Sequence, residues 1–261
     1  MHQGPGIRIS QTYNNADCIR VRAGMNMIRH HFELRETITT ILAEESSHID
    51  AAVEGIIKAR QAVERCIAGD PFFGATFEPY TPESDEPVIL RMVSAAKKAG
   101  VGPMAAVAGA IAWSGTEAMQ EAGAEIGVVD NGGDVALFSD RELLIGVHAG
   151  NSPVSDRVAF AVPPTSEILG ICTSSGTVGP SISFGIADAV TVFSRDVALS
   201  DAWATAICNE IRPDDRSVLL RTNPVEVTGV FSVIGEWTNS YGHLPPLVRA
   251  NVRKDLITAG R

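Results

Sequence analysis

Along residues 49–68, apolar side chains recur at Ile49, Val53, Ile56, Ile57, Val63 and Ile67, with charged residues between them. That three-to-four spacing predicts a helix with one apolar face, ended by Gly69. A second helix is expected over 88–99, with Gly100 in the position where a glycine commonly closes a helix. A third is expected over 102–123, where Pro103 suits a first turn and Gly123 a stop. Residues 104–112 of that segment are almost all small and apolar, so another element should approach them closely. The connection over 70–87 carries four prolines and is expected to be irregular.

Strand signals fill much of the rest. Residues 35–44 are rich in β-branched side chains, and an edge strand is expected near 19–22. Residues 125–139 read as two strands joined by Asn131-Gly132-Gly133, a strong hairpin turn. A further strand is expected over 142–149, then strand, Gly/Ser-rich loop and strand over 159–194, and a late strand over 225–237. A last helix should begin at Ser200 or Asp201 and run to about Ile211. Helices interleaved with hairpins predict an α+β fold with mostly antiparallel sheet and packed long helices. No repeat, low-complexity tract or linker divides the 261 residues, so one domain spanning 1–261 is expected.

Composition then removes some function classes. Hydrophobic residues make up 45% of the chain and charged residues 20%, enough for a sizeable core. The 21 basic residues against 31 acidic ones leave a net charge of −10, which argues against a nucleic-acid or anionic-membrane surface. A phosphorylated small molecule stays open, because helix N-termini and metal ions bind one without net basicity. Cys18, Cys66, Cys172 and Cys208 have no metal-binding spacing and are expected as reduced thiols, two of them in the core. The start shows no apolar export segment, and the longest nearly uncharged run, 101–116, is too short to span a bilayer. A cytoplasmic, membrane-free protein is expected.

Four stretches could carry chemistry. Asp201 and Thr205, one helical turn apart, offer a carboxylate and a hydroxyl of the kind Mg²⁺ prefers; on spacing alone the simpler reading is that Ser200 or Asp201 caps the helix and Thr205 bonds to its own backbone. Asn131, Gly132, Gly133 and Asp134 form a turn whose glycines either satisfy backbone geometry or let a ligand approach. Ser174, Ser175, Gly176 and Thr177 combine hydroxyls with exposed amides, either an anion cradle or a flexible loop. The small-residue segment with Met104, and Trp113 just beyond it, serves either close packing or a cofactor, with Trp113 as a stacking partner. HExxH, GxSxG, GxGxxG and P-loop patterns are absent.

Taken in order, "VGPMAAVAGAIA" (101–112), "NGGD" (131–134), "TSSGTVG" (173–179), "GIADAVTVF" (185–193) and "LSDAWATAICNEI" (199–211) resemble a family. The chain is similar to the ApbE-like superfamily of FAD:protein FMN transferases, and to a poorly characterised cytoplasmic branch of it, with the likeness spanning about 35–245. The resemblance implies a T-fold-like α+β architecture and a metal pair at Asp201 and Thr205, with Ser200 replacing the motif's leading alanine. It also places Gly132, Gly133 and the Ser175-Gly176 turn on the flavin-nucleotide loops. Ala108 and Trp113 stand where the transferases carry a lysine and an aspartate, and Pro180 stands where the branch has a polar residue.

The implied function is Mg²⁺-dependent cleavage of the FAD pyrophosphate, with Asp201 and Thr205 as catalytic metal ligands and FMN passing to an acceptor protein or to water. The alternatives are a binder of a flavin- or pterin-like heterocycle, catalytic in another way or not at all, and a structural relative with a decayed site. The implied partner is in each ligand-binding case a nucleotide or heterocyclic small molecule.

Overall fold

The computed structural model describes residues 12–16, 19–21, 27–177, 185–252 and 258. Cys18, Arg22 and the loop residues Val178, Gly179 and Pro180 lie outside the described residues. The chain runs through β1 (Thr12–Ala16), β2 (Ile19–Val21), β3 (Ile28–Leu34) and β4 (Thr37–Ala43) into the long helix α1 (Ser46–Gly69). Then come α2 (Pro71–Ala75), α3 (Pro87–Ala99), a 3-10 turn (Pro103–Ala106) and α4 (Val107–Glu121). Strands β5 (Ile126–Asn131), β6 (Asp134–Ser139), β7 (Leu143–Gly146), β8 (Val158–Val162), β9 (Thr165–Ser174) and β10 (Ala189–Ser194) lead to α5 (Val197–Glu210). A 3-10 turn at Ser217–Arg221 precedes β11 (Val227–Ile234), β12 (Trp237–Gly242) and β13 (Leu247–Val252).

The described strands form two sheets, one ordered β12-β11-β10-β9-β6-β5-β4-β3 and a smaller one ordered β1-β13-β8-β7-β2. All pairings described in the larger sheet are antiparallel, and β1 with β13 is parallel. The α+β architecture with mostly antiparallel sheet therefore stands. The period-two alternation of the large sheet divides its side chains between two cores. Ile41, Val129, Ala136, Phe138, Val190 and Val192 face the helices. Leu42, Val128, Val135, Leu137, Phe193 and Phe231 face the small sheet. Strands β5, β6 and β10 are consequently buried along their whole length, and any polar group on them is taken from water.

The helix expectations are met closely for α1 and α3; Gly100 closes α3 with φ 74° in the left-handed region. The segment after Gly102 opens as a 3-10 turn before becoming α4, and Gly123 (φ 89°) follows its end. Two expectations need correction. The proline-rich connection contains a short helix, α2, capped by Asp70, whose carboxylate accepts from the Phe72 amide. The last helix begins at Val197, four residues before Asp201, with Asp196 as its cap accepting from the Leu199 amide. Ser200 and Asp201 are therefore interior residues of α5 and do not cap it. Among the described residues, no helix is long and apolar enough to cross a membrane.

Candidate active site

The turns and loops β3–β4, β5–β6, β9–β10 and β11–β12 gather at one end of the large sheet, as its antiparallel order requires. The β5–β6 turn is the tightest of them. Gly132 (φ 68°) and Gly133 (φ 106°) both take positive φ, the geometry a two-residue hairpin with the sheet's twist demands. Asp130 stabilises it, its Oδ1 accepting from the Gly133 amide at 2.9 Å. Nothing lies within 4 Å of where a Cβ on Gly132 would stand, so the turn also exposes backbone to a ligand. Asn131 points to the helices, its amide donating to the Ala108 carbonyl at 3.0 Å.

Asp201 settles its own ambiguity in an unexpected way: it caps a helix, but not its own. Its Oδ2 accepts from the Gly109 amide at 2.8 Å, in the first turn of α4. The residue ahead of α4, Ala106, has no side chain to do this, so α5 supplies the missing acceptor. The contact is possible because position 109 is glycine: a Cβ there would come within 2.8 Å of the Asp201 Cβ. Ser200, one residue earlier, turns to the sheet and donates to the Val192 carbonyl at 2.6 Å. Thr205, one turn further along α5, does not bond back to its own helix in the described contacts. Its hydroxyl meets the Ser174 hydroxyl at 3.0 Å, at the end of β9.

Asp134 begins β6, paired with Cys172 of β9, and is nearly buried. Its Oδ1 has no hydrogen-bond partner. A buried, unpaired carboxylate oxygen is costly unless a cation or ligand donor completes it. Burial, and then the Asp201 and Asp130 carboxylates, push Asp134 well above the usual carboxylate range, against the opposing pull of the Cys172 thiol and the Thr173 amide. Burial likewise raises Asp201 to about 7, although the Gly109 and Ala108 amides pull it down. Asp130 is raised by burial as well. Asp134 and Asp201 thus share one buried corner on the helix side of the sheet, while Asp130 lies on the opposite face, where Thr258, the Gly133 amide and Arg29 oppose the effect of its burial.

The donors here are all hard oxygens: the neighbouring carboxylates of Asp134 and Asp201 and the hydroxyls of Thr205 and Ser174. That set suits Mg²⁺, which is commonly held by one or two carboxylates together with water and substrate phosphates. Among the described residues no group of three or more His, Cys, Asp or Glu side chains forms a self-sufficient cation cage. The orphaned Asp134 Oδ1 is the observation by which these residues fit a cation. Cys172 is no nucleophile: burial, then Asp134 and Asp201, raise its thiol well above the ordinary value. Iodoacetamide should therefore leave Cys172 unmodified in the native protein and label it on denaturation, as peptide mass mapping would read; native labelling at Cys172 would contradict this placement.

The remaining expected residues divide. Met104 and Asn131 line a cavity of about 440 Å³ with Arg35, Arg60, Glu64 and Ala108, between α1, α4 and the β3–β4 turn. Ser175 and Thr177 close their own turn, the Thr177 amide donating to the Ser175 hydroxyl at 3.1 Å, and Thr177 donates to Asp188. Gly176 packs onto Gly185, where a Cβ would lie 2.3 Å from the Gly185 carbonyl oxygen. Trp113 is elsewhere: it lies under Arg91 of α3, whose guanidinium carbon is 4.1 Å from the ring centroid. Arg91 also forks onto Glu117, with both bonds at 2.7 Å. Trp113 does not line the cavity.

A family model described as AbpE bacteria matches residues 20–228. The chain belongs to this family. Among curated members of similar sequence, a UPF0280 protein of Methanoculleus marisnigri is 64% identical over 234 residues, covering 90% of this chain and 96% of its own. A UPF0280 protein of Methanoregula boonei is 59% identical over 235 residues, covering 90% of this chain and 99% of its own. Among solved structures, the chain is similar to the apo form of the Pseudomonas stutzeri flavinyl transferase ApbE. That match has 13% identity and a TM-score of 0.49, covering 90% of this chain and 98% of that one. The flavin transferase ApbE of Vibrio cholerae gives 12% identity and a TM-score of 0.47, over 84% and 97%.

The ApbE-like membership expected from the five motifs is met. Two residues around the candidate site carry signals that the motifs did not single out. Asp130 stands three residues before Gly133, the spacing at which an Asp side chain locks a turn. Arg60 stands four residues after Ile56 and three before Val63, inside the apolar seam of α1, and that misplaced charge was a readable signal.

Proposed function

We propose that the protein is a Mg²⁺-dependent enzyme acting on a flavin nucleotide, cleaving the FAD pyrophosphate so that AMP leaves and FMN passes to a protein hydroxyl or to water. The observation that carries this reading is the unpaired, buried Asp134 Oδ1 in the same corner as Asp201, whose carboxyl is raised to about 7. The flavin assignment draws on the motif resemblance and on the family. Asp134 and Asp201 would hold the cation, with Thr205 and Ser174 as hydroxyl donors beside them. When bound, Mg²⁺ supplies Lewis-acid stabilisation of charge on the bridging phosphate oxygen. The chain's own part is to hold the two carboxylates rigidly, Asp201 through α4 and Asp134 through the sheet, and to open the backbone at Gly132 to the phosphates.

The test is incubation of the full chain with FAD, with and without Mg²⁺, reading AMP and FMN by chromatography. Mg²⁺-dependent release of both in equal amounts is expected; intact FAD after long incubation with Mg²⁺ and a flavin-acceptor peptide would overturn the reading. Thr205→Val keeps the shape and removes one hydroxyl. It should lower turnover by about tenfold or more while changing stability by no more than about 1.5 kcal/mol, the net worth of one hydrogen bond. Unchanged turnover would remove Thr205 from the site.

One observation favours a second reading. Ala108 replaces the lysine of the transferases, and the cavity beside it sets two guanidiniums against two carboxylates, so it offers a nucleotide no net positive charge. A heterocycle-binding protein without pyrophosphate cleavage would show tight, Mg²⁺-independent binding and no AMP.

A further inference from the structure

Ser200 ties α5 to the backbone of the large sheet. It is buried, its hydroxyl donates to the Val192 carbonyl of β10 at 2.6 Å, and it accepts from the Cys172 amide of β9 at 3.3 Å. Cys172 and Val192 are register partners, so a single hydroxyl spans one rung between the two strands. Gly170 makes room for this approach: a Cβ there would lie 2.8 Å from the Val197 Cα and 3.2 Å from the Ser200 Cβ.

That rung continues into the carboxylate corner. Cys172 is also the register partner of Asp134 on β6, and its thiol meets the Asp134 carboxylate. Asp201 follows Ser200 along α5 and reaches the Gly109 amide of α4. Thr205, one turn further, reaches Ser174, two residues beyond Cys172 on β9. Neither strand nor helix needs the serine for its own sake. Antiparallel strands pair their own amides and carbonyls, and alanine is the better helix former and asks for no buried partner. Around Ser200 the core is apolar, with Val190, Val192 and Val197 in it, and the hydrophobic effect that holds it together is non-directional. Such packing fixes the register of a helix on a sheet less sharply than a short hydrogen bond does.

We infer that Ser200 is a positioning residue: its hydroxyl fixes α5 on the β9–β10 rung, so that Asp201 stands at a set distance from Asp134 before any cation enters the corner. The consequence for Mg²⁺ rests on the proposed function; the placement of Asp201 does not. Pre-organisation of this kind lowers the concentration of cation needed more than it alters the rate once the cation is bound, because a bound cation itself draws the carboxylates together.

Calorimetric titration with Mg²⁺ and amide hydrogen exchange of the metal-free full chain test the inference together, on the wild type, Ser200→Ala and Ser200→Cys. Cysteine keeps nearly the shape of serine and is a weak hydrogen-bond former, so it removes the tie without opening a cavity and keeps the test decisive if Ser200→Ala fails to fold. Both variants should bind Mg²⁺ about five- to tenfold more weakly, the worth of one neutral hydrogen bond, and turn FAD over at a near wild-type rate once Mg²⁺ saturates. Without metal, the Gly109 amide should exchange about five- to tenfold faster in both, while the amides of α1 stay as protected as before. Faster exchange across α1 and α4 alike would mean that the hydroxyl only adds stability, and overturns the inference. Wild-type exchange at Gly109 in a folded Ser200→Cys overturns it as well, since side-chain volume and not the hydroxyl would then matter. A wild type that binds no Mg²⁺ would sink the proposed function, while selective exchange at Gly109 in the variants would still uphold the role of Ser200.

Discussion

Asp201→Asn is expected to make the metal-free protein more stable at about pH 8, by roughly 1–3 kcal/mol, while abolishing Mg²⁺-dependent cleavage. The sign follows from the raised carboxyl. Asp201 titrates at about 7 in the folded chain, against an ordinary value of 3.8. Between those values the folded state holds a proton that the unfolded chain has released. Stability from this group is therefore greatest at low pH, falls as pH rises through the window and is fully lost above it. Asparagine is the neutral isostere and still offers an oxygen to the Gly109 amide, so it removes the penalty and keeps the cap. For a chain of this size the gain corresponds to a rise in Tm of about 2–4 °C per kcal/mol. The gain should shrink as pH falls and disappear only below about pH 3, where the wild-type carboxyl is protonated in both states. A melting series across pH, without metal, reads it directly. A loss of stability at pH 8 would mean that Asp201 serves as an ordinary cap and that its charge is welcome where it lies. Stability gained on removing a polar group, with function lost, is the signature of a group retained for its chemistry.

The contrast between Asp201 and Asp196 shows where local sequence stops being informative. Both are acids near the start of one apolar segment, and both can cap a helix; only the fold shows that Asp196 caps α5 and Asp201 caps α4. The partner of Asp201 lies 92 residues away, so no window around residue 201 contains it. Helices α1 and α3 were legible because their periodicity and closing glycines are local, and the Gly132-Gly133 turn because its backbone geometry is. Strands β3 and β12 were not, since both are edge strands of the large sheet whose half-exposed pattern mixes polar and apolar residues. The double-sided burial of β6 is likewise a property of sheet order, and it turns Asp134 from an apparent turn carboxylate into a buried one with an unpaired Oδ1. Trp113 marks the opposite limit. A position matched through a motif can be occupied by a side chain that packs away from the site, here beneath Arg91.

Gly109→Ala should be strongly destabilising for a single added methyl. In an exposed helix interior, alanine is favoured over glycine by about 1 kcal/mol. Position 109 reverses that preference, because the added Cβ would stand 2.8 Å from the Asp201 Cβ and 2.9 Å from the Val197 carbonyl oxygen. Neither atom is the free end of a flexible side chain, so α4 and α5 must separate. Overpacking of this kind costs about 1–3 kcal/mol. The same shift lengthens the bond from the Gly109 amide to Asp201, leaving a buried carboxylate and a buried amide poorly paired. The loss should therefore exceed the steric part alone, and the carboxylate corner should lose cation affinity with it. Gly69→Ala is the internal control: nothing lies within 4 Å of its Cβ position, and the change should be neutral or slightly stabilising. Urea unfolding of both variants, with calorimetric titration of Mg²⁺ into each, separates packing from ligation. Equal stability of the two variants would show that α4 and α5 are not in the close contact on which Asp201 depends. A destabilised Gly109→Ala with undiminished Mg²⁺ affinity would instead separate the cap from the cation, leaving Asp134 and Thr205 to hold it without Asp201.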